Sequence, residues 1–247
     1  MLVFGTAKLV PIKYVILCLH GYRQNAKAFK EKTGSFRKIL KKYAEFVIVD
    51  APFRINPDDD TETEDTVQRG WWFNEPRKFS AITYCDTSMG MDESIEFVKK
   101  VLIEEGPIDG IMGFSQGAAL AAIISSLKAK GESARFKRNL KLNPNSSSDG
   151  VFRSYIANTF WFTILVSSFK SRCSLHEDLY SPTIFIPSLH VYGEGDEVVH
   201  TDMSEEVCYH FDQPTRLIHP GGHYIPADSK VKQTYFDFFE KLLAMKT

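Results

Sequence analysis

The 247-residue chain carries 30 Lys and Arg against 31 Asp and Glu, a formal charge of −1, and is 43% hydrophobic. Near-neutral charge removes the electrostatic case for nucleic acid or an anionic membrane as a partner, and no apolar run approaches the ~20 residues of a membrane span. The expectation is one soluble domain over 1–247, long enough to bury a substantial core.

Met1 to Leu9 is too short, and too interrupted by Lys8, to form a secretory apolar segment. The predicted location is therefore the cytoplasm, with the nucleus also open to it. Tyr14-Val-Ile-Leu-Cys-Leu19 reads as a buried strand and delivers the chain into a polar loop, His20-Gly-Tyr-Arg-Gln-Asn25. A helix is predicted from Asn25, with Phe29, Phe36, Leu40 and Tyr43 on one stripe and Arg37, Lys38, Lys41 and Lys42 on a solvated face. The strand Phe46-Val-Ile-Val49 follows, and then a loop from Asp50 to about Arg69 whose stretch from Asp58 to Asp65 is too acidic for a core and is expected to be a mobile excursion.

The aromatic triplet Trp71-Trp72-Phe73 supports two readings. It could wall an acyl pocket, where apolar burial contributes about 25 cal/mol per Å². It could equally be core, because three consecutive rings cannot all face one cavity. Trp72, Phe73 and the later Phe169 are the candidate pocket residues. A helix from Asp92 to about Glu105 then buries Ile95, Val98 and Leu102, and Gly106-Pro107 ends it.

Gly113-Phe-Ser-Gln-Gly117 is the most informative segment. Ile111 and Met112 lead in like a buried strand, and Ala118 to Ile124 lead out like a buried helix, so Ser115 stands at a strand-to-helix turn that lifts its hydroxyl above a sheet. The pentapeptide alone is weak, and a tight packing turn would also use its glycines. The flanking strand and helix are the context a hydrolase nucleophile requires.

A nucleophilic serine needs a base and the base an orienting acid. His190 reads as core or edge strand, whereas His176, His200 and His210 read as solvated. His219 ends the strand-like Arg216-Leu-Ile218 and competes for the base. His223, in the glycine-rich loop Gly221-Gly-His-Tyr-Ile-Pro226, is better placed to reach over a sheet edge. Asp196 closes Leu189-His-Val-Tyr-Gly-Glu-Gly-Asp196 and is the candidate acid, with Glu194 and Glu197 as neighbours and a turn-forming aspartate as the bland alternative. For the oxyanion hole, the backbone N–H groups of Gln116 and Tyr22 are the candidates, and His20 is expected to hold the Tyr22 loop.

Strands and helices alternate through the last third as well, with strands near Thr163, Leu189 and Leu217, a helix from about Met203 and a final helix containing Val231, Tyr235, Phe238 and Leu242. This alternation, with Ser115, Asp196 and His223 in that chain order, predicts an α/β-hydrolase fold: a mostly parallel central sheet flanked by helices on both faces. Cys18, Cys85, Cys173 and Cys208 are too irregularly spaced for a metal site or disulfide framework, and four free thiols suit a reducing compartment.

Taken together, Leu19-His-Gly-Tyr-Arg-Gln-Asn25, Gly113-Phe-Ser-Gln-Gly-Ala118, His190-Val-Tyr-Gly-Glu-Gly-Asp-Glu-Val-Val199 and Gly221-Gly-His-Tyr-Ile-Pro226 resemble the eukaryotic serine hydrolases abbreviated FSH, in particular their ovarian cancer-associated esterase branch. Phe29-Lys-Glu-Lys-Thr-Gly34 and Arg69-Gly-Trp-Trp-Phe73 extend the resemblance, which runs from about Lys13 to about Leu243. It implies an intracellular carboxylester hydrolase with no cofactor and no metal, acting on small-molecule esters of longer alkyl or acyl chains through Ser115, Asp196 and His223. Fungal relatives that act as thioesterases keep a thioester substrate open. Two segments depart from the pattern: the polar insert from Arg138 to Tyr155, and Ser167-Ser-Phe169, where similar proteins carry Ser-Gly-Phe. The competing class is a binding protein that keeps the fold without catalysis, against which stands the presence of all three triad residues.

Overall fold

A computed structural model describes residues 13–140, 159–180 and 183–246. Its centre is a six-stranded sheet of β1 (Tyr14–Leu19), β2 (Ala44–Val49), β5 (Gly110–Phe114), β6 (Phe162–Val166), β7 (Ser188–Gly193) and β8 (Thr215–His219), in the order β2-β1-β5-β6-β7-β8. Every pairing within it is parallel. Two-residue strands β3 (Phe53–Arg54) and β4 (Arg69–Gly70) form a separate antiparallel pair. The helices are α1 (Ala26–Lys32), α2 (Gly34–Leu40), α3 (Met91–Glu104), α4 (Gln116–Leu140), α5 (Thr201–Cys208) and α6 (Lys232–Lys246), with a 3-10 helix at Ser174–Tyr180.

Both faces of a parallel sheet must be covered, and period-two alternation sorts the buried residues into two cores. Leu17, Leu19, Ile111 and Leu165 pack against Val98, Val101 and Leu102 of α3, the Ala118–Ile124 run of α4, and Met203 and Val207 of α5. On the opposite face Tyr14, Ile16, Met112, Phe162 and Ile164 meet Phe29 of α1, Phe36 and Leu40 of α2, and Tyr235, Phe238, Phe239 and Leu242 of α6. The small side chains of α4 let it lie close on the sheet centre.

The sheet order reverses direction between β1 and β5, since β1 leads outward to β2 and the chain returns on the other side to β5. In open α/β sheets that crevice, outside the carboxyl ends of the strands, is where ligands bind. The loop after β1 and the turn after β5 therefore flank the switch point, and the ends of β6, β7 and β8 follow in a row.

Three local expectations change. The single helix from Asn25 is two helices. Asn25 caps α1 by accepting the Ala28 N–H (2.7 Å), and Thr33, with its hydroxyl on the Phe29 carbonyl (2.7 Å), separates α1 from α2. A threonine hydroxyl that competes for a helix carbonyl favours such a break. The acidic stretch is exposed, as its charge requires, yet tethered: Lys27 pairs with Asp65, Arg54 and Arg69 with Glu64, and the Asn25 amide donates to the Asp65 and Val67 carbonyls. Finally, His176 is buried against the Ser171 hydroxyl (2.7 Å) on the 3-10 helix rather than solvated. The polar insert lies outside the described residues, apart from the helical backbone at 138–140.

Candidate active site

Ser115 is the residue between β5 and α4, and its φ of +53° puts it in the left-handed region that costs an L-residue about 1–2 kcal/mol. The two glycines of the motif explain how the turn is possible. A β-carbon at Gly113 would lie 2.3 Å from the Gly117 carbonyl oxygen, and one at Gly117 would lie 2.2 Å from the Leu19 carbonyl oxygen. The Ser115 N–H donates to Val166 O (2.9 Å), and its carbonyl accepts from Ala118 and Ala119 (2.9 and 3.0 Å). The backbone is thus fastened on both sides while the side chain lines an open pocket.

Asp196 and His223 come together from the ends of β7 and β8. The His223 Nδ1 lies 2.8 Å from Asp196 Oδ2, and the Phe114 ring, beside the serine, is 4.8 Å from the imidazole. The Asp196 carboxylate is fully buried, and its remaining contacts are specific. Oδ1 accepts the N–H groups of Val198 and Val199 (2.9 Å each), and Oδ2 also accepts the Ser167 hydroxyl (2.9 Å). Burial pushes the carboxyl upward, but the bonds from His223, Val199 and Val198 outweigh it and hold the group below its ordinary value. It is an anion across the neutral range, fit to fix the imidazole with Nδ1 protonated and Nε2 free to accept.

Glu194 and Glu197, the neighbouring carboxylates, point to solvent. His219 is buried, accepts the Gly221 N–H on Nδ1 (3.2 Å) and packs on Tyr224, and burial holds its pKa down. His190 is core, edge-on to Phe211, with its pKa pushed by burial down to about 3. Of the three, only His223 shares a pocket with Ser115.

The loop after β1 is clamped from below. His20 is fully buried, with Nδ1 on Gly21 O (2.8 Å) and Nε2 accepting from Ala51 N–H (3.0 Å), and burial lowers its pKa to about 4, so it is neutral. The Trp71 indole donates to His20 O (2.8 Å). The Gln116 side chain spans to the same segment, accepting from Trp71 N–H (2.9 Å) and donating to Trp72 O (2.8 Å). On either side of Tyr22, Arg23 N–H donates to Arg69 O (3.0 Å) and Gly21 N–H to Gln24 Oε1 (3.1 Å). The Trp71-Trp72 pair therefore braces the β1 loop against the Ser115 turn.

Trp72, Phe73 and Phe169 are buried in the core, at 0%, 3% and 1% exposure, and none of them lines the pocket over Ser115. Phe79, which does line the pocket, packs edge-on with Trp72 (5.1 Å) and tilted against Phe169 (5.8 Å). The lining is instead Tyr22, Phe79, Ala81, Ile82, Phe114 and Val198, around a volume of about 390 Å³. Residues 79–82 belong to a loop without regular periodicity, so nothing in the sequence pattern singled them out.

Ser167 was equally hidden. It follows β6, is fully buried, and its φ of +47° turns the hydroxyl onto Asp196. Its place at a strand's carboxyl end, level with the other site residues, was the available signal. Ser168, where the pattern expects glycine, is buried and its carbonyl accepts the Ser204 hydroxyl of α5 (2.8 Å), away from the pocket lining. Among the described residues no cluster of three or more His, Cys, Asp or Glu could hold a metal ion, and no helix is long and apolar enough to cross a membrane.

A sequence profile described as Serine hydrolase (FSH1) matches residues 10–235. "Esterase OVCA2" of Danio rerio is 42% identical over 246 residues, spanning 94% of this chain and 98% of its own length. The Xenopus tropicalis protein of the same name is 41% identical, spanning 92% and 93%. Among solved structures, Zea mays acyl-protein thioesterase 2 superposes with a TM-score of 0.57 at 19% identity, over 94% of this chain and 93% of that one, which establishes the shared α/β-hydrolase fold. The chain belongs to the FSH1 family of serine hydrolases.

Proposed function

We propose that this serine hydrolase cleaves carboxylic esters of medium to long acyl or alkyl chains, with Ser115 as nucleophile, His223 as general base and Asp196 as the acid that orients it. The observation that supports this most is the meeting of a serine in a left-handed turn with a buried carboxylate–imidazole pair at one end of one sheet. In this reading His223 Nε2 takes the Ser115 hydroxyl proton as Oγ attacks the ester carbonyl. The developing oxyanion is received by the N–H groups of Gln116 and Tyr22. Gln116 opens α4, where the first N–H groups have no intrahelical acceptor and the helix dipole favours negative charge. The imidazolium then protonates the departing alcohol, and the same nitrogen activates water against the acyl-serine.

The apolar surroundings support long chains. Ile82, Val198 and Tyr224 are large side chains exposed at 64%, 56% and 49% around the site, a surface that an alkyl chain would cover. Gln24, Phe114 and His223 also line a second hollow, about 430 Å³, that continues past Phe29, Lys32, Tyr224 and Ile225. Because the carbonyl carbon must sit at Ser115 and the leaving oxygen at His223, the first pocket suits the acyl chain and the second the alcohol.

Each buried methylene contributes about 0.8 kcal/mol, part of which is realised in the transition state. On that basis kcat/KM is expected to climb at least roughly tenfold from two-carbon to about eight- or ten-carbon nitrophenyl esters. A flat or falling series would remove the chain-length preference, and a parallel acyl thioester series decides which bond is cleaved faster.

Ser167 is assigned a positioning role through Asp196. Removing a hydrogen bond to a charged acceptor costs about 1.5–3 kcal/mol, so Ser167→Ala should lower kcat roughly tenfold or more with little change in KM. A kcat within twofold of wild type would show that Val198, Val199 and His223 hold the carboxylate without it. Four free cysteines support a reducing cellular compartment as the site of action.

A further inference from the structure

Cys85 and Cys173, far apart in sequence, stand directly opposite each other in an isolated parallel bridge. The Cys85 N–H donates to Arg172 O (3.2 Å) and the Ser174 N–H to Cys85 O (2.9 Å). Opposed residues on hydrogen-bonded strands are about 4.8 Å apart, inside the Cα separation of about 4.4–6.8 Å that a disulfide tolerates, and their side chains leave the same face. The two thiols converge further, because both reach one acceptor: Cys85 Sγ is 3.3 Å and Cys173 Sγ 3.6 Å from Thr87 O. Both also line a cleft of about 460 Å³ with Tyr84, Lys170, Arg172 and Glu206. Cys18 and Cys208, by contrast, are buried within β1 and α5.

We propose that Cys85 and Cys173 form a dithiol modification site that a peroxide converts to an intramolecular disulfide. The two sulfurs have different parts. Cys85 is half-buried and its Sγ accepts the Asn74 amide (3.0 Å), with Lys170 and Arg172 in the same cleft, the latter paired to Glu206 (2.8 Å). Its sulfur attacks one peroxide oxygen, the O–O bond breaks, and Cys85 becomes a sulfenic acid as the other oxygen takes the thiol proton and leaves as water. Cys173 is buried, and burial pushes its thiol upward, so it stays protonated and unreactive until a sulfenic acid stands beside it. Its sulfur then attacks Cys85 Sγ, the S–S bond forms, the S–O bond breaks, and the hydroxide leaves as water with the thiol proton. Two thiols and one peroxide give one disulfide and two waters, and an external dithiol reverses the reaction.

The bridge would fasten a loop that matters for the pocket. Asn74, which donates to Cys85, also accepts the Ser80 N–H on its Oδ1 (2.8 Å), and Phe79, Ser80, Ala81 and Ile82 wall the space over Ser115. The dithiol does not depend on the catalytic assignment, so each can fail without the other.

The test is peroxide treatment of the full folded chain, followed by alkylation under denaturing, non-reducing conditions and peptide mapping. The expected product is a Cys85–Cys173 cross-linked peptide that dithiothreitol reverses, with Cys18 and Cys208 still alkylated. Closure of so long a loop should also raise Tm by roughly several degrees. In Cys173→Ser the reaction should stop at a Cys85 sulfenic acid that dimedone traps, and Cys85→Ser should lose both products. If Cys173→Ser folds poorly, the wild-type peptide map carries the test alone. Full alkylation of all four cysteines after peroxide, a cross-link to Cys18 or Cys208, or a bridge that lowers Tm overturns the proposal.

Discussion

Ser115→Ala is expected to abolish covalent labelling by a fluorophosphonate and to lower kcat for any ester by about 10⁶-fold, the loss typical when a serine nucleophile is removed. The size of the effect follows from its position, since Ser115 is the hydroxyl at the apex of the β5–α4 turn, on the pocket shared with His223. The fold should not suffer. Val166, Ala118 and Ala119 hold the residue through its backbone, and alanine tolerates a φ of +53° no worse than serine. Ser115→Gly separates chemistry from stability, because glycine relieves the left-handed strain and should raise stability by about 1 kcal/mol while remaining inactive. Equal Tm for wild type and Ser115→Ala, with labelling lost, is the supporting pattern. A Ser115→Ala protein that still turns over esters near the wild-type rate shows that the nucleophile lies elsewhere, and a wild type that neither labels nor turns over leaves a ligand-binding hydrolase fold.

The architecture was legible because the physics that makes it is local. A strand buried on both faces must be an apolar run, as at Tyr14–Leu19, a range read from the sequence as it stands in the structure, and at Phe162–Val166, the strand expected near Thr163. Gly113 and Gly117 mark a turn in which β-carbons would strike backbone, so the turn too is written in residue types. The juxtaposition of Asp196 and His223 was inferable because both follow strands whose carboxyl ends must align in a parallel sheet.

What stayed hidden depends on contacts between segments that share no pattern. Phe79 packs against Trp72 and Phe169 and lines the pocket in their place. His176 looks polar by its neighbours in sequence, yet Ser171, five residues upstream, satisfies it in the interior. The acidic stretch reads as unattached because its partners, Lys27, Arg54 and Arg69, lie outside it. Cysteine spacing excludes a framework but says nothing of Cys85 and Cys173, which only the fold of two loops brings face to face.

Asp196→Asn should be nearly as damaging as loss of the serine, lowering kcat by about 10⁴-fold, whereas Glu194→Gln and Glu197→Gln should stay within a fewfold of wild type. An amide can still accept the Val198 and Val199 N–H groups on its oxygen, which now bind Oδ1 at 2.9 Å each. It then turns an NH₂ toward both His223 Nδ1 and the Ser167 hydroxyl, where Oδ2 now accepts two bonds at 2.8 and 2.9 Å. A donor there demands that Nδ1 be the acceptor, which moves the imidazole proton to Nε2 and removes the base from Ser115. The exposed glutamates make no such contact. The defect should therefore sit in kcat with KM almost unchanged, and should shrink at high pH as hydroxide substitutes for the lost base. If Glu194→Gln proves the crippling change and Asp196→Asn is mild, the orienting carboxylate has been placed two residues too late in the β7 loop, and the Ser167 assignment falls with it.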